Sequence, residues 1–380
     1  MRVPYHRPVV EQCDVDAVVE CLRSGWLTTG ARAHDMERTL SNLVWAPGPE
    51  HVLAVNSCTA ALHMALLLHG VGPGDEVITS PITWPATTNV IEHVGATPVF
   101  ADVLPGDLTI DPTSVRALVT ARTKAVIPVH FGGYLADVNL IRDLVDPRIP
   151  IIVDAAHALE ACYPGGAGTG ALGDAVCYSF YANKNMTTGE GGALVLRDNA
   201  LLDRARSLRL HGITKDAWKR YGVDGYKMWD MEAPGWKYNL SDLQASLGLA
   251  QAPRVPAWLA ARSGVDSYYR DALAWVPGVR LLHPTLGGST PAHHLFVVVL
   301  EGVPRERALA AFGDAGVGVG VHFPPVHGLQ FYRRTRPGLW GTCPVAELAG
   351  SHCISLPIYP GIPADHLASV VDVVRSLVGA

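Results

Sequence analysis

The chain has 380 residues, 48% hydrophobic and 17% charged, with a formal net charge of −5. That length buries a large core and suggests two domains, or one large domain with a smaller companion. Scattered Lys and Arg exclude a basic face for nucleic acid or a membrane surface, no 18-residue apolar run exists to span a membrane, and no targeting segment is visible. The seven Cys form no CxxC pair, which argues against a zinc site or a disulfide framework. A cytoplasmic protein with reduced thiols and no metal fits best.

Taken in chain order, seven short apolar runs come first: 51–55, 75–80, 97–103, 124–131, 149–156, 174–180 and 192–198. They are rich in Val and Ile and apolar on both faces, as strands of a mostly parallel sheet are when helices cover both sides. Helical stretches fall between them at 58–69, 84–94, 112–120 and 137–145. The alternation predicts a doubly wound α/β domain over residues 1–250. The pattern then changes. A helix near 241–251 leads to a long amphipathic helix in AWLAARSGVDSYYRDAL. A strand at 293–300, a helix near 304–314, a Gly/Pro-rich stretch (316–328) and a helix at 363–377 follow. Residues 251–380 read as a smaller α+β domain, on which the extreme N-terminus is expected to pack.

Three strand ends carry the chemistry. In AVNSCTAALHMALLLHG, Ser57, Cys58 and Thr59 open a helix. Its first N–H groups lack partners and its dipole is positive, so the turn suits a phosphate; the plainer reading is an N-cap. In IPIIVDAAHALEA, Asp154 ends an apolar strand. A carboxylate there needs a partner, which a protonated ring nitrogen, a metal or a helix N-terminus could each supply. His157 follows at the helix start, able to touch a ligand or only to pack. In DAVCYSFYANKNMTTGEGGALVL, Ser179 ends a strand and Lys184 comes five residues later. Lysine forms Schiff bases with carbonyls, although surface Lys is the commoner case. Of six Lys (124, 184, 215, 219, 227 and 237), Lys184 alone follows a strand end that could face Asp154. Trp84 follows another strand, placed to stack on a ring or to pack in the core. Gly168 to Gly173 match GxGxxG, but a strand follows them rather than a helix, so they read as a connecting turn. Together the set offers one group for each end of pyridoxal phosphate (PLP): phosphate, ring nitrogen and aldehyde.

These residues resemble the DegT/DnrJ/StrS family of PLP-dependent sugar aminotransferases, which have the fold-type-I aspartate aminotransferase architecture. The resemblance runs through SGWLTTG (24–30), VNSCTAALHMAL (55–66), Trp84, VHFGG (129–133), VDAAHALEA (153–161), SFYANKNMTTGEGG (179–192), GWKYNLSDLQA (235–245), VGVHFPPVH (319–327) and SLPIYP (355–360). It implies that Lys184 carries the cofactor and that Asp154 keeps the pyridine nitrogen protonated. It implies that Ser57, Thr59 and Ser179, with the Cys58 and Thr59 N–H groups, bind the phosphate, and that Trp84 stacks on the ring. Asn239 is expected to reach the phosphate of the partner subunit's cofactor, so the active site of a homodimer would be shared across its interface.

Two positions depart from the usual pattern: many relatives carry Gln where this chain has His157, and His where it has Tyr181. His157 occurs in a branch acting on a UDP-linked 4-keto-pentose, which tilts the reading toward amination at C4. The resemblance implies L-glutamate as donor and a sugar nucleotide as acceptor, with a dTDP-4-keto-6-deoxyhexose expected first and a 3-keto sugar second; the alternative to an enzyme is a non-catalytic PLP-binding regulator, which no DNA-binding motif or basic patch supports. The substrate's sugar, diphosphate and base are expected to meet Tyr181, His322, His327, Tyr332 and Arg333.

Overall fold

The computed structural model describes residues 2–213 and 230–379; Lys215, Lys219 and Lys227 lie outside them. Seven strands come first: β1 Val52–Val55, β2 Glu76–Thr79, β3 Thr97–Phe100, β4 Thr123–Ile127, β5 Ile152–Asp154, β6 Ala175–Ser179 and β7 Gly192–Leu196. Ladders order them as β1-β7-β6-β5 and β3-β2-β4. Parallel bridges at Val126–Ile151 and Val129–Asp154 join β4 to β5, so the seven form one surface. β7 runs antiparallel to both its neighbours and every other pairing is parallel. Six strands therefore share one direction, the mostly parallel seven-stranded sheet expected for fold type I.

Both faces of this sheet are covered, which is why its strands read as unbroken apolar runs. Alternate residues supply opposite cores, as the two-residue period of a strand requires. Ala54, Ile78, Val126, Val153 and Val176 pack on one side. Leu53, Val77, Ile127, Ile152 and Cys177 pack on the other, against helix Cys58–Leu68. Helices at Gln12–Ser24, Ala31–Val44 and Asn199–Leu208 also flank the sheet region, and the sequence pattern did not single them out. The GxGxxG run holds only a short turn, Thr169–Ala171, ahead of β6.

A second, antiparallel sheet contains β8 Val279–Leu281, β9 Phe296–Leu300 and β10 Cys353–Leu356, in the order β10-β9-β8. One face packs on helices Val255–Leu273, Arg305–Asp314 and Ala364–Val378 through Tyr269, Phe296, Phe312 and Val370. The other face meets residues of the large sheet's loops, including Phe100 and Phe131. Val3 pairs with Val317 and is buried in the small sheet's core, so the N-terminus does pack there. Asp102, just after β3, ties the large sheet to the region of the small one. Its carboxylate accepts the Val345 and Ala346 N–H groups, at 3.0 and 2.9 Å, at the start of helix Pro344–His352. No described helix is long and apolar enough to cross a membrane, and no described cluster of His, Cys, Asp or Glu could hold a metal ion.

Candidate active site

Parallel strands end at the same edge of a sheet, and ligands of open α/β sheets sit in the crevice beyond that edge. Here the edge gathers the chain after β1 (Ser57), β5 (Asp154) and β6 (Ser179 to Lys184).

At the first of these, Ser57 is the N-cap of helix Cys58–Leu68 and its Oγ accepts the Ala60 N–H at 3.1 Å. The plain cap is therefore real. It leaves the first-turn N–H groups of Cys58 and Thr59 as the donors a phosphate would use. Gly192 makes this approach possible. It opens β7 between Val55 and Ser179, and a Cβ on it would lie 2.5 Å from the Ser57 carbonyl carbon and 2.6 Å from the Cys58 nitrogen. Those atoms are backbone and cannot swing away. Gly192→Ala should cost at least about 2 kcal/mol by chemical denaturation and should weaken cofactor binding by spreading the helix from β7; unchanged stability and affinity would show that the cradle is looser than drawn.

Asp154 ends β5 almost wholly buried, 5% exposed. Thr87, on helix Pro85–His93, donates to its Oδ2 at 2.8 Å, and the Ala156 N–H donates to Oδ1 at 3.1 Å. The Cys58 thiol lies 3.9 Å from Oδ1. Burial pushes the carboxyl above its usual range, while Thr87, Ala156 and the charge of Lys184 pull it back. This is a carboxylate set up for a cationic neighbour. Thr87, itself backed by Thr83 at 2.7 Å, is a site residue that no local sequence signal indicated.

Lys184 sits in a turn closed by its own N–H to the Tyr181 carbonyl at 2.9 Å. Burial pushes its amine down to about 8, opposed by the Cys58 thiol and Asp154. The two residues whose opposition the sequence anticipated thus lie within electrostatic reach of one another.

An aromatic wall flanks them. His157 packs at a tilt against His294, with ring centres 4.4 Å apart, and stacks on Phe323 at 6.0 Å. Its Nδ1 accepts the Gly132 N–H at 3.2 Å, which leaves the ring hydrogen on Nε2. Burial holds His157 and His294 well below the usual imidazole range, helped by the charge of Lys184. Trp84 is 65% exposed, with its ring 6.1 Å from Phe323, so it is not the core aromatic that its plainer reading allowed. Asn239 donates from Nδ2 to Thr29 Oγ1 at 2.6 Å, and Thr29 in turn donates to the Leu240 carbonyl. Asn239 Oδ1 is buried without a partner.

The substrate candidates divide. His322 belongs to the wall: Tyr5 stacks on it at 5.7 Å, Ser355 bonds its Nδ1 at 2.8 Å, and burial with the Lys184 charge pushes it down to about 4. Tyr181 is 48% exposed beside Ser179. Arg333 is exposed on helix Gln330–Thr335. His327 and Tyr332 are corrections. His327 is 1% exposed, bonded to Glu347 at 2.9 Å and packed between Phe100 and Trp340. Tyr332 is 3% exposed against Phe100. Both are core residues beside the small sheet, because their short helical segments turn these rings inward. A cavity of about 840 Å³ between the 104–106 loop and helix Pro344–His352 takes in none of the residues above.

A helix N-terminus opened by a cradling glycine, a buried acid and a softened lysine amine fit pyridoxal phosphate at three points, and the seven-stranded sheet with one reversed strand is the fold-type-I arrangement. The chain is a PLP-dependent sugar aminotransferase by class. It belongs to the DegT/DnrJ/EryC1/StrS aminotransferase family, whose model matches residues 8–375. It is 41% identical to the spore coat polysaccharide biosynthesis protein SpsC of Bacillus subtilis, over 99% of this chain and 97% of that one. Among solved structures it is similar to the putative sugar aminotransferase Spr1654 of Streptococcus pneumoniae in its PMP form, with a TM-score of 0.92, 30% identity and 99% of each chain covered. It is likewise similar to the aminotransferase TlmJ of Streptoalloteichus hindustanus, with a TM-score of 0.91, 31% identity and 99% of each chain covered.

Proposed function

We propose that this enzyme moves the amino group of L-glutamate onto C4 of a nucleotide-linked 4-keto sugar, with a dTDP-4-keto-6-deoxyhexose as the first substrate to test. The observation that carries the reading is the pairing of the softened Lys184 amine with the buried Asp154 carboxyl, beside a wall of neutral imidazoles. Bound pyridoxal phosphate supplies an electron sink for the charge left when a proton leaves carbon. The protein's residues do the rest. The Cys58 and Thr59 N–H groups, with Ser57 and Ser179, hold the phosphate. Asp154 holds a proton on the ring nitrogen by its negative charge. The Lys184 Nζ amine would take a proton as base and return it as acid. Its pKa of about 8, below the ordinary lysine value of 10.5, leaves far more of this amine neutral near pH 7 than an exposed lysine would have.

The uncharged His157 and His322 and the exposed faces of Trp84 and Tyr181 suit a hydroxylated sugar ring, and Arg333, exposed on helix Gln330–Thr335, is the cation assigned to the diphosphate in this reading. The site is read as shared within a homodimer in the cytoplasm. The Asn239 amide has spent one hydrogen on Thr29 and keeps a second for the phosphate of the partner subunit's cofactor. Purified enzyme should convert the 4-keto substrate with glutamate to a product whose mass has an amine in place of the carbonyl. Conversion of a 3-keto sugar nucleotide instead would overturn the regiochemistry, and no amination of either would overturn the substrate class.

A further inference from the structure

Behind Lys184 lies a network of buried polar groups. The next residue, Asn185, is 9% exposed and uses both ends of its amide. Its Nδ2 donates to Glu160 Oε2 at 3.0 Å and to the Ala292 carbonyl at 2.9 Å, and its Oδ1 faces His294 Nδ1 at 3.0 Å. A carbonyl only accepts, so the atom facing Ala292 must be the amide nitrogen. The other end is then oxygen, and His294 must carry its hydrogen on Nδ1. His294 packs at a tilt against His157, whose own hydrogen is fixed on Nε2 by the Gly132 N–H. Glu160 lies three residues after His157 along the chain, which ties the two by the backbone.

We propose that Glu160 and Asn185 are positioning residues: through this network they hold the backbone at Lys184 and fix the ring planes and tautomers of His294 and His157. The proposal rests on Lys184 being the amine that carries the cofactor. The network spans three separate parts of the chain, with Glu160 and Asn185 25 residues apart and Asn185 and His294 109 apart. Among the described residues, the Asn185 side chain is the group that hydrogen-bonds Glu160, His294 and Ala292 together. In a low-dielectric interior such a network is worth more than its separate bonds, and a member left unpaired is costly. Burial pushes Glu160 up to about 7, against the pull of Arg262 on helix Val255–Leu273. Its uncharged form is thus populated near neutrality, and Gln is a fair mimic because its amide oxygen still accepts from Asn185.

The test uses the holoenzyme. Borohydride fixes the cofactor to its lysine, and peptide mass mapping names that lysine. Titrating the visible absorbance of the bound cofactor reads the proton affinity of the linkage. Glu160→Ala should move that midpoint by half a unit or more and lower kcat about tenfold or more, with KM for the keto sugar within about threefold. Glu160→Gln should recover most of both. An unmoved midpoint and kcat in Glu160→Ala, or a Gln variant as impaired as the Ala variant, overturns the proposal. If Glu160→Ala does not fold, Asn185→Ser asks the same of the network from its other end, since a hydroxyl cannot reach all three partners; the same two readouts decide. An adduct on a lysine other than Lys184 in the wild type would instead defeat the reading of the amine, whatever Glu160 does.

Discussion

Lys184→Ala should lower turnover by at least about 10³-fold while leaving the fold intact and still allowing pyridoxamine phosphate to bind. The side chain has two duties, attachment to the cofactor and proton transfer at Nζ, and no described neighbour can take over either. His157, His294 and His322 lie close enough to feel its charge. Each is held neutral with a pKa far below that of a base suited to pH 7. Lys124 and Lys237 belong to other parts of the fold, on β4 and before the Asn239 loop. A small primary amine added to Lys184→Ala should restore part of the rate, because it replaces the missing base without needing the tether. The folded apo-protein should not suffer. The wild-type amine is destabilised by its burial, with a folded pKa of about 8 below the unfolded 10.5. That cost is fully present below pH 8 and is relieved as pH rises toward 10.5, so the Ala variant should be at least as stable at pH 7. Wild-type activity in this variant would remove Lys184 from the mechanism altogether.

How much of this could be read in advance followed the range of each interaction. Strand runs such as DAVCYSF and GALVLRD, and helices such as 137–145, show their period locally and appear at β6, β7 and Val138–Leu144. The strand-end positions of Asp154 and Lys184 were legible for the same reason: a polar residue after an apolar run is visible without knowing what it faces. Thr87 was not legible, because its value lies in a bond to Asp154 across 67 residues. Glu160 and Asn185 were hidden likewise, and each looked like an ordinary polar residue in a loop. The reverse error occurred at His327 and Tyr332. They lie in or just after a Gly/Pro-rich stretch, where exposed binding residues are common, but the segment folds back and buries both rings against Phe100. Local composition indicates a loop; it does not say which way a side chain turns. The reversed direction of β7 was equally silent, since pairing direction leaves no mark on an apolar run.

Asp154→Asn separates cofactor chemistry from folding most sharply. Its folded pKa lies above the unfolded value through burial. The folded state therefore binds the proton more tightly, and stability falls as pH rises from about 4 through the folded value. Asn removes that loss, so the apo variant should match or exceed the wild type at pH 7. Its hydrogen bonds can adjust. The Asn oxygen can keep the Ala156 N–H, and the Thr87 hydroxyl can turn to accept from the new amide, because Thr83 serves as partner in either sense. With cofactor the order should reverse. A neutral amide cannot balance a protonated ring nitrogen in a buried site. A hundredfold loss of affinity would remove about 2.7 kcal/mol of ligand stabilisation at saturating cofactor, and kcat should fall about 10²- to 10³-fold as the charge complement is lost. Thermal unfolding of apo and holo forms side by side, together with kcat, reads both effects. If the variant is destabilised equally with and without cofactor, Asp154 is a structural acid and its place opposite the ring nitrogen is wrong.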